Sequence, residues 1–474
     1  METVKKNIKN TGQIYTPNFL VSNMLDIAKY NDNNILRKNI IDNSCGNGAF
    51  LIEIVRRYCK SFLKKYGESN KRELKKHLEK YIHGIEIQNG EIAECIANLN
   101  NEVKMFGLSN IRWDLVCANT LSVDSYDGKM DFVVGNPPYV RVHNLNESYK
   151  KVKEFKFSQK GMTDLYIVFF EISLKMLNKS GTMCLITPSS FLKSGAGAEL
   201  RKYIYENKNL TKVVDLGHFQ PFNATTYTII TLFKMGGANR QIEYYTYDKF
   251  KIEPRKIEDL NYSDVFIGGK IYFSKKENLR LLNEIEVYNK KNKAAFDVKN
   301  GFATLADSVF INNFNFGNKT ISVLKASTGK WYKCFFPYNE EGKPISFKEI
   351  KQDSELYNYL IENRAILEKR SLEKNSDWFL FGRSQGIKDV FKNKVAINTI
   401  VKDVDSLRIE SVPSGSGVYS GLYILSNLPF NKIKENIGSE FLEYIKLLKN
   451  YKSGGYYTFS SGELKKFLNY KIAK

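Results

Sequence analysis

Cysteine and histidine are sparse in this chain, and neither occurs in an arrangement that crosslinks or binds metal. The six cysteines (Cys45, Cys59, Cys95, Cys117, Cys184, Cys334) are scattered without a CxxC pair. That excludes a disulfide framework and a zinc ribbon, and reads as buried thiols in a reducing compartment. Four histidines (His77, His83, His143, His218) show no ligand spacing, so no metal site is expected. No apolar run reaches membrane-spanning length, and the amino-terminal METVKKNIKN has no apolar core, which excludes a spanning helix and a signal peptide. The expectation is a cytoplasmic protein. Internal repeats and long low-complexity tracts are also missing. Acidic residues are in deficit: 51 Asp and Glu against 72 Lys and Arg give a net charge of +21, with a pI near 9.3. Such an excess points to a polyanionic partner. With 474 residues, 42% hydrophobic and 13% aromatic, the chain suits two or three globular domains.

What the chain does have is centred on Asp131–Tyr139, DFVVGNPPY. An apolar strand runs straight into Asn136-Pro137-Pro138-Tyr139, and the two prolines stiffen the loop and remove two backbone donors. A stiff loop at the carboxyl end of a strand is where ligands bind in an open α/β sheet. Its groups suit transfer to an exocyclic amine on a nucleobase, a poor nucleophile whose lone pair is delocalised into the ring. The Asn136 side-chain oxygen and the Pro137 carbonyl would accept the two N–H groups and turn the lone pair toward an electrophile. Tyr139 would stack on the base, a contact of about 1–3 kcal/mol. A plain Pro-Pro turn after a core strand carries the same four letters, so the surrounding motifs decide.

Thr11–Pro17 (TGQIYTP) precedes an amphipathic stretch, 18–30, where a Thr-Pro pair is also an ordinary helix start. Asn39–Phe50 (NIIDNSCGNGAF) reads as strand, glycine-bearing loop and helix; Asp42 ends the strand, and Gly46 and Gly48 permit a tight turn. Without GK[ST] the loop is not a phosphate cradle, and a carboxylate there suits a ligand with an ammonium and no phosphate. A second strand, YIHGIEI, ends near Glu86, placed to grip ribose hydroxyls. A third, IRWDLVCA, ends at Asn119-Thr120. Thr163–Leu177 is a helix holding Phe169 and Phe170, of which one belongs in the core. A fifth strand (GTMCLITP), a helix (AELRKYIYEN), a sixth strand (212–216) and a seventh (226–234) follow, with Phe222 in the joint between the last two. At Met235–Asn239 the alternation gives way to irregular sequence in which three patches interleave bases and aromatics: Lys325–Tyr338 (with Lys330), Asp377–Lys388 (with Arg383 and Lys388) and Lys449–Lys466. Such residues on loops suit phosphate contact and groove reading.

In order, TGQIYTP, DNSCGNG, GIEI, CANTL, GNPPYVR, DLYIVFFEISLKML, ITPSSF and FNATTYT closely resemble the γ-class adenine-N6 DNA methyltransferases of restriction–modification systems, the TaqI-like and Eco57I-like group. The resemblance is strong through Met235 and weaker but visible beyond it, in GFATLADSVF, WFLFGRSQGI and SGLY. It implies an α/β fold: a Rossmann-like class I S-adenosylmethionine-dependent methyltransferase sheet in residues 1–238, then a mixed α+β target-recognition domain in 239–474. It implies that Thr16, Asp42, Ser44, Gly46 and Gly48 surround the amino-acid end of S-adenosylmethionine. Glu86 would hold the ribose, Ile87 and Phe169 would meet the adenine, and Asn119 and Thr120 would line the same site. Asn136 and Pro137 would hold the target amine, Pro138 would border the methyl group, and Tyr139 and Phe222 would wall the flipped base. Lys330, Arg383 and Lys388 are the candidates for DNA contact. Two departures stand out: Asn119 replaces the usual Asp, and Asp-Asn-Ser-Cys replaces a common Asp-Pro.

The activity so implied is methylation of N6 of adenine in double-stranded DNA after base flipping. Asn before PPY favours adenine over cytosine N4, and the Pro-Cys dipeptide of cytosine-C5 enzymes is absent. The competing readings are an RNA or protein N-methyltransferase and a catalytically silent DNA-specificity subunit. A built-in nuclease is not expected, since about ten residues precede TGQIYTP and no PD…(D/E)xK pattern stands out. A separately encoded cognate endonuclease is the further partner implied, and a monomer is expected.

Overall fold

A computed structural model describes residues 15–32, 35–141, 148–222, 226–248, 250–374 and 376–472. Thr11–Ile14 of the first motif and Asn223–Thr225 of the last lie outside them. The chain forms two compact units, Met1–Arg280 and Leu281–Lys474.

The first unit is built on one nine-stranded sheet. Its strands are β1 (Ile40–Asp42), β2 (Ile82–Glu86), β3 (Asp114–Cys117), β4 (Met130–Gly135), β5 (Leu177–Pro188), β6 (Leu210–Asp215), β7 (Thr228–Lys234), β8 (Gln241–Asp248) and β9 (Glu253–Asn261). Their order is β3-β2-β1-β4-β5-β7-β6-β8-β9. The ladders from β3 to β5 are parallel, while β7 lies antiparallel to both β5 and β6. Parallel strands are covered on both faces, so they are apolar throughout rather than alternating. Every residue of β1 and β2 is accordingly buried. The helix Ala49–Tyr66 packs Phe50, Leu51, Ile54, Val55, Tyr58, Cys59 and Phe62 at helical spacing into the main core and stops at Gly67. Burying each large side chain contributes about 1.5–3 kcal/mol. Strand order reverses between β1 and β4, and a crevice opens there outside the carboxyl ends.

The shift at Met235–Asn239 is a turn within this unit, and the domain end expected at Ala238 falls inside the sheet. β8 pairs with β6 in parallel and β9 pairs with β8. The β8–β9 pair is anchored to the helix Asn18–Ile27, because Asn23 Nδ2 donates to Tyr247 Oη at 2.7 Å and to the Ile252 carbonyl at 2.8 Å. Tyr247 also stacks on Phe219 with centroids 5.1 Å apart. That tyrosine-rich strand reads as irregular sequence, although it carries the edge of the sheet.

The second unit is mixed α+β. Among its described residues it has two four-stranded sheets and one three-stranded sheet, and a core rich in phenylalanine, including Phe302, Phe310, Phe335, Phe336 and Phe381. Among the described residues, no helix is long and apolar enough to cross a membrane.

Candidate functional site

The crevice brings together the loops after β1, β2, β3 and β4. Asp42, the last residue of β1, is 1% exposed, and its Oδ1 accepts from Ser44 N at 3.1 Å. β4 runs alongside β1 and must pass close to this carboxylate. At Gly135 a Cβ would stand 2.7 Å from Asp42 Oδ1, so only glycine admits the approach.

Burial pushes the Asp42 carboxyl up to about 7; the Glu86 charge adds to that and the Ser44 N–H opposes it. The native state therefore keeps a proton that the unfolded chain releases near pH 3.9, and stability declines as pH rises from about 4 to about 7. The span corresponds to at most about 4 kcal/mol. Asp42→Asn should flatten that window in urea unfolding of the ligand-free protein; parallel wild-type and variant curves between pH 4 and 7 would remove the effect.

Glu86 closes the β2 end. Its Oε2 accepts from Gly46 N at 3.0 Å, and its Oε1 from Ile87 N at 2.9 Å and Gln88 N at 3.0 Å. A carboxylate offers about four lone-pair sites, so with one bond on Oε2 there is capacity for a ligand hydroxyl. Ile87 beside it is 60% exposed, an apolar face at the mouth of the crevice. After β3, Asn119 Oδ1 accepts from Leu121 N at 3.1 Å and caps a short turn. The Thr120 hydroxyl is turned inward, donating to the Asn43 carbonyl at 2.7 Å. As they stand, these two residues shape the loop with their side chains.

The NPPY loop is tied on both sides. Asn136 Nδ2 donates to Thr16 Oγ1 at 3.1 Å, and Ser44 Oγ donates to the Asn136 carbonyl at 3.4 Å. With Nδ2 directed at Thr16, Oδ1 is the acceptor end of the amide. The helix that follows, Asn18–Ile27, starts from Pro17 as its N-cap, without a side-chain cap bond from that residue. Pro137 is buried and Pro138 half-buried. Tyr139 is half-buried; its hydroxyl donates to the Ile186 carbonyl at 3.2 Å, and its ring meets Tyr166 edge-on at 6.3 Å. Burial holds that phenol well above its usual range. Phe169 is buried, while Phe170 packs on Phe191 and Phe233 as the core member of the pair. Phe222, expected beside a flipped base, is 7% exposed and lies within the main core cluster.

Hydrogen bonds thus link Thr16, Asn136, Ser44 and Asp42 in one chain, and Gly46 and Glu86 in a second. Sequence reading misses Asn43, whose Nδ2 donates to Ser173 Oγ at 2.9 Å, Ile186, which anchors Tyr139, and Glu91, which accepts from Tyr15 Oη at 3.0 Å. A residue that acts through its backbone carbonyl leaves no side-chain signal in a sequence. In the second unit, Lys330 and Lys388 are exposed. Arg383 Nη1 is held by the carbonyls of Ser371 and Gly382, so this guanidinium braces its own loop.

A sheet wound in this order, with β7 let in antiparallel, is the class I S-adenosylmethionine-dependent methyltransferase fold, and S-adenosylmethionine is the cofactor of that class. Residues 26–222 match the model of the Eco57I restriction-modification methylase family. It is 27% identical to the Type II methyltransferase M.BstVI of Geobacillus stearothermophilus, over 78% of this chain and 73% of the relative. It is 24% identical to the Type II restriction enzyme and methyltransferase RM.Eco57I of Escherichia coli, over 91% of this chain but 54% of that longer protein. Among solved structures, the Type IIL restriction-modification enzyme MmeI in complex with DNA aligns with a TM-score of 0.60 at 12% identity, over 97% of this chain and 64% of that one. The DrdV–DNA complex aligns at 0.55 and 12%, over 93% and 52%. These two likenesses show the fold. The groups in the crevice are of the kind such a cofactor needs: a buried carboxylate, acceptor capacity on Glu86 and an exposed apolar Ile87, with no lysine in the glycine loop to hold a phosphate.

Proposed function

We propose that this chain is a sequence-specific DNA methyltransferase that modifies N6 of adenine in double-stranded DNA, the modification enzyme of a restriction–modification system. The observation that carries the reading is the NPPY loop at the reversal of strand order, with the Asn136 amide oriented by Thr16 and its backbone tied to the cofactor loop through Ser44. Asp42, Ser44, Gly46 and Gly48 surround the amino-acid end of the cofactor, Glu86 holds its ribose, and Ile87 and Phe169 border its adenine. S-Adenosylmethionine supplies an electrophilic methyl group when bound.

The adenine must leave the duplex to reach this crevice, at a cost of a few kcal/mol. The Asn136 Oδ1 and the Pro137 carbonyl then accept the two N–H groups of the amine, which turns its lone pair to the methyl carbon. Attack is direct, with no covalent enzyme intermediate, so the chain contributes position and orientation. Tyr139 is anchored through its hydroxyl and leaves its ring for the base. Phe222 takes the opposite wall only after leaving its packed position. The second unit reads sequence, with Lys330 and Lys388 toward phosphates, and a separate endonuclease is the expected counterpart in the cell.

Expression in a bacterial host free of endogenous methylation, followed by sequencing that detects modified bases, tests the reading. N6-methyladenine within one recognition sequence is the expected result. N4-methylcytosine, or DNA left unmodified by a chain that binds S-adenosylmethionine, would overturn it.

A further inference from the structure

Residues 150–164 lead from the target loop into the helix Leu165–Met176 and are strongly basic: Lys150, Lys151, Lys153, Lys156 and Lys160 against Glu154 and Asp164. Their final loop is joined to the strand leaving NPPY. Leu165 N donates to the Val140 carbonyl at 2.8 Å, and Arg141 and Asp164 form an antiparallel bridge. The backbone two residues beyond Tyr139 therefore runs beside the backbone two residues beyond Met162. At the tip of this loop the Met162 side chain stands 83% exposed.

The loop itself is well braced. Gly161, at φ 66°, lies so near the neighbouring loop that a Cβ would stand 2.9 Å from Ala196 N. The Thr163 hydroxyl donates to the Ser158 carbonyl at 3.3 Å, and Gln159 Nε2 donates to the carbonyls of Lys153 at 2.6 Å and Phe155 at 3.1 Å. Lys160 pairs with Glu199 at 2.8 Å. A segment held at this many points has the means to bury one more apolar side chain, yet it presents Met162 to water. Exposure forgoes the stabilisation that burial gives such a side chain. The arrangement is favourable when something apolar covers it. An unbranched, polarisable side chain two residues after Lys160, at the end of a lysine-rich segment and on a loop bridged to exposed Arg141, matches the interior of a base stack bordered by phosphates.

We propose that Met162 is the wedge that enters the duplex beside the target adenine and fills the gap its departure leaves. The inference rests on the adenine-flipping reading above and adds a positioning residue to it. Met162 touches neither the methyl group nor the amine. It lowers the free energy of the open duplex, so its contribution disappears when the base pair is already broken.

That dependence separates a wedge from a structural residue. Single-turnover methyl transfer would be measured for wild type, Met162→Ala and Met162→Leu on two duplexes carrying the recognition sequence, one matched and one with a mismatch opposite the target adenine. Met162→Ala should be slower by about ten- to a hundredfold on the matched duplex and within about threefold of wild type on the mismatched one. Met162→Leu should stay close to wild type on both, and the melting temperature of Met162→Ala should be unchanged. Equal rates for wild type and Met162→Ala on matched DNA would overturn the wedge. So would an equal loss on both duplexes, which would mean a structural role. If the wild-type chain places no methyl group on adenine in either duplex, the wedge falls together with the reading it rests on.

Discussion

Asn136→Ala is expected to reduce methyl transfer by at least about a hundredfold while leaving the affinity for S-adenosylmethionine nearly unchanged. The amide has two ends with two tasks. Its Nδ2 donates to Thr16 Oγ1 at 3.1 Å, which orients the group, and its Oδ1 is the acceptor offered to the target amine. Alanine removes the acceptor, and the Pro137 carbonyl alone cannot hold both N–H groups. The cofactor side depends on Asp42, Gly46 and Glu86, whose hydrogen bonds do not pass through this side chain. Single-turnover transfer to the recognition sequence and calorimetric titration with S-adenosylmethionine check the two halves. A variant that methylates at near wild-type rate would remove Asn136 from the chemistry.

Cutting the chain should give two different outcomes at two nearby positions. A fragment ending at Ala238 loses β8 and β9, and with them the buried Ile242, Tyr244, Tyr247 and Leu260. At about 1.5–3 kcal/mol each, these four approach the whole stability of a typical domain, about 5–15 kcal/mol. The fragment also exposes the edge of β6, an invitation to aggregate. It should not fold. A fragment ending at Arg280 keeps the complete sheet and should fold and bind S-adenosylmethionine, yet lose site-specific methylation with the second unit removed. Circular dichroism, cofactor titration and methylation of DNA with and without the recognition sequence would follow both fragments. Undiminished specificity in the longer fragment would refute a recognition role for Leu281–Lys474.

The strands β1, β2 and β4 were legible because they are largely buried on both faces and each ends at or leads into a residue with distinct chemistry: Asp42, Glu86, Asn136. Patterns of that kind persist in a linear string. The edge pair β8–β9 was not legible, because Gly236-Gly237 resembles a linker and the strands that follow are rich in tyrosine and charge. Their place in the sheet depends on Asn23 and Phe219, both remote in sequence. Arg383 shows the same limit. A basic residue in a glycine-containing loop suggests DNA, while the carbonyl of Ser371 that holds it is visible only in three dimensions. Phe222 stood out as an aromatic residue without a helical partner, yet its neighbours belong to the main core. The bond from Asn136 to Thr16, by contrast, unites two motifs that the sequence singles out separately.

The close approach of Gly135 to Asp42 has a consequence for how this protein can change over generations. The missing methyl group at 135 and the carboxylate at 42 occupy the same space, 2.7 Å apart in effect. An alanine at 135 is deleterious while Asp42 stands, and becomes tolerable only after position 42 has been reduced in size. The two sites are therefore epistatic, and their substitutions do not add. One sits at the cofactor loop and the other immediately before the target loop. Drift immediately before the target loop is thus gated by the cofactor loop: position 135 can accept a side chain only after position 42 has given up its carboxylate.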